Sequence, residues 1–303
     1  MTARPSRLVL LGHPVKHSVS PIFQNAALRS LGVPIVYEAL DVAPAELDAK
    51  LDELVAARAA GNVTIPHKEA VAARCARLTP IAARVGAVNT FMVDDDGALS
   101  GDNTDVAGFD HLVTLALDGA PFPERVAVIG AGGAAAAVLA AVERWPGCEV
   151  VLFNRSSARL ERLASRFPVV RETAADVESA VRGCGLVVNA TPIGLGDDAL
   201  PVNVDALERD AVVVDLVYRR EETAWVREAR AGGHRALDGL EMLLEQGALA
   251  FERWLGVAAP REVMRDAVRR EDSRAEGPTS EVRHSRESGN PAAGAAGFPL
   301  SRE

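Results

Sequence analysis

The chain has 303 residues, of which 48% are hydrophobic and 25% are charged, a composition typical of folded globular proteins rather than of disordered, collagen-like or membrane-spanning chains. Its length predicts two domains of ordinary size. The 42 acidic residues outnumber the 33 basic ones, giving a formal charge of −9. This balance excludes the basic excess that nucleic-acid binding needs, so we expect no nucleic-acid partner.

No apolar run is long enough for a signal segment or a membrane span, so we expect a cytoplasmic protein that does not bind membranes. The three cysteines, Cys75, Cys148 and Cys184, are widely spaced, and neither a CxxC pair nor a histidine cluster accompanies them. We interpret them as reduced, buried thiols and expect no metal.

Short β-type runs alternate with alanine-rich helical stretches in the first third of the chain, which predicts repeated β/α units. The predicted strands cover residues 7–12, 35–42 and 62–65, and the helices cover 21–31 and 45–59. A hairpin is predicted over 88–99, with its turn at 94–97. We place the end of a first domain near Asp105.

A linking helix at 106–117 leads into a second alternating series, with strands predicted at 125–129, 149–153, 186–189 and 212–216. These runs are apolar and rich in β-branched residues, as in parallel strands buried on both faces. Helical spacing predicts a further helix at 240–255, whereas large apolar residues are too few beyond 271 to form a core.

The predicted fold is therefore α/β with two domains, the second a doubly wound, Rossmann-like parallel sheet. The predicted bounds are 1–105 for an N-terminal substrate domain, 106–236 for the dinucleotide domain, 237–270 for C-terminal helices packing back on the first domain, and 271–303 for a disordered tail.

A glycine-rich loop follows the strand at 125–129 directly and opens an alanine-rich helix, which is the context of a dinucleotide-binding loop. Gly130 permits the tight turn, Gly132 lets the backbone approach the pyrophosphate, and Ala135 is the third small residue where helix meets strand. Phosphate would meet the helix N-terminus. The loop comprises Gly130, Ala131, Gly132, Gly133, Ala134 and Ala135.

The next strand ends at Asn154 and Arg155, where an NAD site usually has an acid, and Arg159 lies one helical turn further. Guanidinium groups accept a 2′-phosphate through paired charge-assisted hydrogen bonds, whereas an acid would repel it. NADP is therefore favoured over NAD. The alternative interpretation is that both arginines only decorate a solvated helix face.

The segment GNVTIPHK, residues 61–68, contains the first candidate for acid–base chemistry. Strand alternation predicts that Asn62 and Thr64 face a cleft and that Val63 and Ile65 face the core. Pro66 suits the first turn of a helix, which places Lys68 near the positive end of the helix dipole, where a neutral amine is favoured. Such a lysine can exchange protons, although an isolated surface lysine is the commoner case.

Two further segments have a functional and a structural interpretation. Asp105, in GDNTD, is either a helix N-cap or a carboxylate that orients Lys68. In GHPVKHSVSP, Ser18 and Ser20 lie on one face if the chain is extended and then bind a carboxylate, or Ser20 simply caps a helix at Pro21.

Eight segments within positions 7 to 270 resemble the shikimate dehydrogenase family, and they occur in the family's order. They are GHPVKHSVSP, GNVTIPHK, GAVNT, GDNTDVAGF, GAGGAAAA, NRSSARL, NATPIGL and DGLEMLLEQGALAFERW. The resemblance implies reversible NADP-linked reduction of 3-dehydroshikimate to shikimate in aromatic amino acid biosynthesis. It implies that Lys68 and Asp105 are the catalytic pair.

The same resemblance implies the binding residues. The small-molecule substrate would be bound by Ser18, Ser20, Asn62, Thr64, Asn89, Tyr218 and Gln246. The cofactor would be bound by the 130–135 loop with Asn154, Arg155, Arg159 and Gly239. A monomer or homodimer is expected.

The chain departs from the family pattern at three places. Gln24 stands where the family commonly has His, Arg219 and Arg220 follow Tyr218 in place of Asn-Pro, and the family usually lacks the segment after Glu271. Two alternatives remain open: a quinate/shikimate dehydrogenase or related paralogue, and a non-catalytic NADP-responsive regulatory protein on the same fold.

Overall fold

The computed structural model describes residues 4–275, with side chains described to residue 271. Two six-stranded sheets, each with helices on both faces, confirm the predicted two-domain α/β class. No helix within this range is both long and apolar enough to cross a membrane.

The first sheet has the order β2-β1-β3-β5-β6-β4. β1, β2 and β3 are parallel, and β5 and β6 form the predicted antiparallel hairpin. The strands are β1 (Leu8–Gly12), β2 (Tyr37–Asp41), β3 (Ala60–Val63), β4 (Arg77–Leu78), β5 (Thr90–Val93) and β6 (Leu99–Asp102); the α-helices of this part are α1 (Ser20–Ser30), α2 (Leu47–Ala56), α3 (Lys68–Arg74) and α4 (Pro80–Val85).

Alternate residues of β1 explain why this sheet is covered on both sides. Leu8 and Leu10 pack with α1 and with two helices from the C-terminal part of the chain, whereas Val9 and Leu11 pack with α2, α3 and α4. The two helices are α10 (Leu240–Leu255) and α11 (Arg261–Ala275). The last helix therefore continues past residue 271, where the tail was predicted to start; residues 276–303 lie outside the described range.

The second sheet is wholly parallel, with the order β12-β11-β10-β7-β8-β9. Strands β8 and β9 are added on one side of β7, and β10, β11 and β12 are added on the other side. This reversal of strand order at β7 is the doubly wound arrangement. Its elements are α5 (Asp105–Leu117), β7 (Arg125–Ile129), α6 (Gly133–Val142), β8 (Glu149–Phe153), α7 (Ser157–Ala164), β9 (Val170–Thr173), α8 (Val177–Val181), β10 (Leu186–Asn189), β11 (Val212–Asp215), α9 (Ala224–Ala231) and β12 (Ala236–Leu237).

Several local predictions were wrong. The strand β3 ends at Val63, so Ile65 leaves the sheet and is 67% exposed instead of facing the core. The helix α3 begins at Lys68 with His67 at its N-cap, so Pro66 precedes the helix. Of the three thiols only that of Cys184 is buried.

Candidate active site

The two candidate catalytic side chains, 37 positions apart, meet at the start of two helices. Lys68 is the first residue of α3 and Asp105 the first of α5. Lys68 Nζ donates to Asp105 Oδ2 at 2.7 Å, and their side chains are 18% and 8% exposed. Asp105 is therefore not the N-cap, a position that Thr104 occupies.

The glycine loop lies directly beside this pair. A Cβ placed on Gly133 would be 3.8 Å from Lys68 Cδ, an ordinary van der Waals distance. The loop also needs its first glycine, because Gly130 has a φ of +123° and a Cβ there would lie 2.7 Å from the carbonyl oxygen of Ala190. The Lys68 side chain of the first domain thus lies against the dinucleotide-type loop of the second.

A buried amide, Asn89, orients the carboxylate. Its Nδ2 lies 2.8 Å from Asp105 Oδ1, 2.9 Å from Thr104 Oγ1 and 3.1 Å from Gln246 Oε1, and two hydrogens serve these three acceptors. Its Oδ1 accepts from the Thr104 backbone N–H at 2.8 Å. Each oxygen of Asp105 therefore has a donor, which restricts its rotation.

Asn62 is connected to the same network from β3. Its Nδ2 donates to the carbonyl oxygen of Asn89 at 3.2 Å, and its Oδ1 accepts from the hydroxyl of Tyr37 at 2.8 Å. Burial raises the pKa of this hydroxyl well above its ordinary value, so Tyr37 remains a donor. Thr64 lies beyond the end of the strand and is half-buried.

Ser18 and Ser20 lie together, but in a turn rather than in an extended segment. The Ser18 N–H donates to the carbonyl oxygen of Val15 at 3.0 Å, and the Ser20 N–H donates to Ser18 Oγ at 3.2 Å. Ser20 is the first residue of α1 after the N-cap Val19, so the proposed capping role of Ser20 was wrong.

Tyr218 and Gly239 lie in segments that follow β11 and β12 of the second sheet, close to helices that pack on the first. The half-buried ring of Tyr218 packs against the cluster that contains Phe23 and Leu244. Gly239 is the N-cap of α10, and its N–H donates to the carbonyl oxygen of Val217 at 3.1 Å. A Cβ on Gly239 would lie 2.4 Å from the Leu216 carbonyl oxygen, so this close backbone approach requires glycine.

The loop that contains Tyr218 is held by a buried carboxylate at the end of β11. Asp215 accepts from the Val217 N–H at 3.1 Å, from Asn189 Nδ2 at 2.8 Å and from the Thr223 hydroxyl at 2.8 Å. Burial raises the pKa of Asp215 to about 6. The network joins the ends of β10 and β11 beneath the loop.

The two departures from the family pattern that lie within the described residues both make contacts inside the molecule. Gln24 Nε2 donates to the carbonyl oxygen of Gly247 at 2.9 Å. Arg219 Nη1 donates to the carbonyl oxygens of Gly194 and Asp197 at 3.2 and 2.6 Å and pairs with Asp198 at 3.0 Å. The guanidinium of Arg219 is therefore occupied by the chain itself.

The glycine loop and the residues after β8 form the surroundings expected of a phosphate site. Gly132 is the N-cap of α6 without a side-chain cap, and nothing lies within 4 Å of a Cβ placed on it. The exposed guanidinium groups of Arg155 and Arg159 form no ion pair in the described part of the chain. Asn154 Nδ2 donates to the Ser156 carbonyl oxygen at 3.0 Å.

These features fit NADP, because free amides and guanidinium groups are donors for pyrophosphate and 2′-phosphate. The cleft beside the loop is lined by the predicted residues Ala131, Gly132, Gly133 and Arg159. It is also lined by Glu69 and Arg162, which the sequence reasoning missed. The signal for Arg162 was its spacing of three residues from Arg159, which places both arginines on one face of a helix.

Thr104 was also missed. It lies inside the quoted GDNTD segment, and its hydroxyl lies 3.0 Å from the carbonyl oxygen of Gln246 and 3.2 Å from Asn89 Oδ1. The adjacent Asn103 donates from Nδ2 to the carbonyl oxygen of Ala87 at 2.9 Å and accepts from the Asp105 N–H at 3.1 Å. Both residues therefore position Asp105.

Fold and site together define a two-domain α/β protein of the dinucleotide-binding dehydrogenase class, with a lysine–aspartate pair facing the nucleotide loop. Family models of the shikimate dehydrogenase substrate binding domain and of the shikimate 5′-dehydrogenase C-terminal domain match residues 10–91 and 239–269. The chain belongs to the shikimate dehydrogenase family, since many relatives of that name exceed 40% identity over most of its length.

One relative is the shikimate dehydrogenase (NADP(+)) of Methylobacterium radiotolerans, 42% identical over 84% of this chain and 93% of its own. The shikimate 5-dehydrogenase of Thermus thermophilus, solved with NADP(H) and shikimate, is 40% identical with a TM-score of 0.77 over 87% of this chain and 98% of its own. Quinate dehydrogenase from Corynebacterium glutamicum, solved with NAD, is 29% identical with a TM-score of 0.78 over 86% and 97%.

Proposed function

We propose that this protein catalyses the reversible, NADP-linked reduction of 3-dehydroshikimate to shikimate. The observation that supports this most directly is the 2.7 Å Lys68–Asp105 pair beside Gly133. Such a pair places a proton donor next to the point where hydride is delivered. Relatives named as NADP-dependent shikimate dehydrogenases cover most of the chain at about 42% identity.

The proposed chemistry divides between cofactor and protein. Bound NADPH supplies the hydride to the carbonyl carbon. Lys68 donates a proton to the carbonyl oxygen, so the ketone becomes a secondary alcohol, and in the reverse direction the amine takes that proton back. Asp105 orients the Lys68 amine through the 2.7 Å hydrogen bond, and Asn89 fixes Asp105 from its other oxygen.

Side-chain hydroxyl groups and neutral amides suit a substrate that has several hydroxyl groups and a carboxylate. We propose that Ser18, Ser20 and Tyr218 bind its carboxylate, and that Asn62, Thr64, Asn89 and Gln246 bind or surround its ring hydroxyls. We further propose that Gly130, Ala131, Gly132, Gly133, Ala134, Ala135 and Gly239 contact the cofactor backbone, with Asn154, Arg155 and Arg159 at the 2′-phosphate.

The alternatives have less support. A non-catalytic protein on this fold has no need of the acid–base pair, yet Lys68 and Asp105 are in contact. The relative named for quinate and solved with NAD is 29% identical. Arg155 and Arg159, which form no ion pair with the described residues, suit NADP better than NAD.

An unpaired thiol at each of Cys75, Cys148 and Cys184 suits a reducing compartment, and we propose the cytoplasm.

The proposal is tested by assaying the purified chain with shikimate or quinate in combination with NADP or NAD. We expect the highest kcat/KM with shikimate and NADP. A higher value with quinate identifies the paralogue instead, and absence of turnover with all four combinations supports the non-catalytic alternative.

A further inference from the structure

The side chain of Gln24 joins two helices that are 223 positions apart in the chain. It lies in α1 and is 1% exposed, and its Nε2 donates to the carbonyl oxygen of Gly247 in α10 at 2.9 Å. No other hydrogen bond in the described range joins α1 to α10 through a side chain. This contact therefore defines the polar part of their interface.

The two helices approach too closely for any residue but glycine at position 247. A Cβ there would lie 2.6 Å from Phe23 Cε2 and 3.2 Å from Gln24 Nε2. Real Cβ atoms do not come this close to ring carbons, and close packing leaves little room for adjustment. Gln24 and Phe23 thus set the distance between α1 and α10 at this point.

Both helices bear residues that we assign to substrate binding. Ser20 lies one turn before Gln24 on α1, and residues four apart share a helix face. Gln246 immediately precedes Gly247 on α10, and its Oε1 lies 3.1 Å from Asn89 Nδ2. The Gln24–Gly247 bond therefore links the serine pair to the amide network around Asp105.

We propose that Gln24 is a positioning residue that sets the spacing between Ser20 and Gln246, and with it the affinity for the ring substrate. The inference rests on the proposed function, since it assumes that a polyhydroxylated ring acid binds between these groups. An imidazole ring has an Nε2 donor at a similar reach from the backbone, so histidine at position 24 preserves the bond.

This role is separable from a contribution to stability. Gln24 Oε1 is buried with no hydrogen-bond partner among the described residues. The Gly247 carbonyl lies inside a helix, where a backbone N–H four residues later also bonds to it. Replacement of Gln24 by leucine removes a half-satisfied amide without creating a new unsatisfied group, which is nearly neutral for stability.

The test compares wild type with Gln24→Leu, Gln24→His and the control Leu28→Val, which alters buried packing on α1 without removing a hydrogen bond. Steady-state kinetics with shikimate and NADP and the Tm are measured for each. We expect Gln24→Leu to raise the KM for shikimate on the order of tenfold, with kcat, the KM for NADP and the Tm nearly unchanged. Gln24→His should restore the wild-type KM.

An unchanged KM for shikimate in Gln24→Leu overturns the inference, as does a loss of Tm with equal changes in both KM values. A Gln24→His variant that behaves like Gln24→Leu also overturns it. These outcomes require an active wild type and leave the proposed function standing. A wild type that neither binds nor turns over shikimate removes the proposed function and the inference together.

Discussion

At the scale of single residues, the chemistry of the cleft centres on Asp105. One of its oxygens accepts from Lys68 and the other from Asn89. The Asp105 backbone N–H donates to Asn103 Oδ1, and the Thr104 backbone N–H donates to Asn89 Oδ1. A carboxylate held at both oxygens keeps one orientation, so the Lys68 amine has a defined position. Three predictions concern single side chains.

Replacement of Lys68 by alanine should lower kcat by about 10²- to 10⁴-fold, because general acid–base catalysis typically contributes that much. The KM for shikimate should change little, since proton transfer is a transition-state role. Steady-state kinetics check this, with Lys50→Ala as the control, a partly exposed lysine that pairs with Glu53. Unchanged turnover would remove Lys68 from the mechanism.

Replacement of Arg155 by alanine should weaken NADP binding far more than NAD binding. Loss of a charge-assisted hydrogen bond costs roughly 1.5–3 kcal/mol, which corresponds to about a 10- to 100-fold rise in the KM for NADP. The matched control is Arg182→Ala, an exposed arginine after α8. Equal losses for both cofactors would contradict the 2′-phosphate assignment.

The buried Asp215 should make a pH-dependent contribution to stability. Its folded pKa of about 6 exceeds the ordinary value of 3.8, so between these values the folded chain retains a proton that the unfolded chain has lost. This contribution is present below about pH 4 and is lost as the pH rises to about 6.

We therefore expect the free energy of unfolding of wild type, relative to Asp215→Asn, to fall by about 2 kcal/mol across this window. Urea unfolding of both proteins at several pH values measures the difference. A difference that stays constant or rises with pH would contradict the raised pKa of Asp215.

At the scale of elements, α5 and α10 cross closely and bring Asp105 and Gln246 together. Gly108 lies at this crossing, where a Cβ would be 2.9 Å from the carbonyl oxygen of Met242 and 3.1 Å from Gln246 Cβ. The backbone of α10 cannot move aside as a flexible side chain can. The absence of a side chain at position 108 therefore permits the contact that completes the amide network.

Gly108→Ala should push the two helices apart, although alanine is the better helix former. We expect a loss of about 1–3 kcal/mol in the free energy of unfolding, as for other overpacked cores, together with a higher KM for shikimate. Chemical denaturation and kinetics measure both. Ala107→Ser, on the exposed face of α5, should leave both nearly unchanged, and a stabilised Gly108→Ala would contradict the close crossing.

At the scale of the whole molecule, the two sheets meet through the helices between them. Arg84, in the last turn of α4, donates to both oxygens of Glu143 after α6 at 2.8 and 2.6 Å. Its guanidinium also lies 4.0 Å from the centre of the Phe167 ring, and Arg166 donates to the Val85 carbonyl oxygen at 2.7 Å. These contacts hold the domain that contains Lys68 against the helices of the second sheet.

Arg84→Ala should weaken this contact between the domains. A partly buried bidentate pair with a cation–π contact contributes about 1 kcal/mol, so we expect a loss of that size in unfolding free energy and a several-fold higher KM for NADP. The control Arg74→Ala removes an exposed arginine whose ion pairs among the described residues, with Asp48 and Asp52, lie within the first domain. If both variants gave the same KM for NADP, the contact would have no role in cofactor binding.

Much of the fold follows from local patterns. Apolar runs predicted the long strands of the second sheet, and helical spacing predicted Leu240–Leu255 with its exact limits. The two-residue strands β4 and β12 were missed, because two residues show no periodicity and are strands only where a neighbour pairs with them. Helix starts at Ser20 and Lys68 were misplaced by one or two positions, since proline is compatible with several positions there.

The sequence by itself therefore determined the α/β class, the glycine loop and the residue types available for chemistry. These features depend on residue type and on neighbours along the chain. At Gly130, for example, the positive φ favours glycine. Only the tertiary structure decided that Lys68 meets Asp105, that Asn89 reaches Gln246 across 157 positions, and that Gln24 bonds to Gly247. Such contacts depend on how sheets and helices pack, because packing fixes distances that no local spacing encodes.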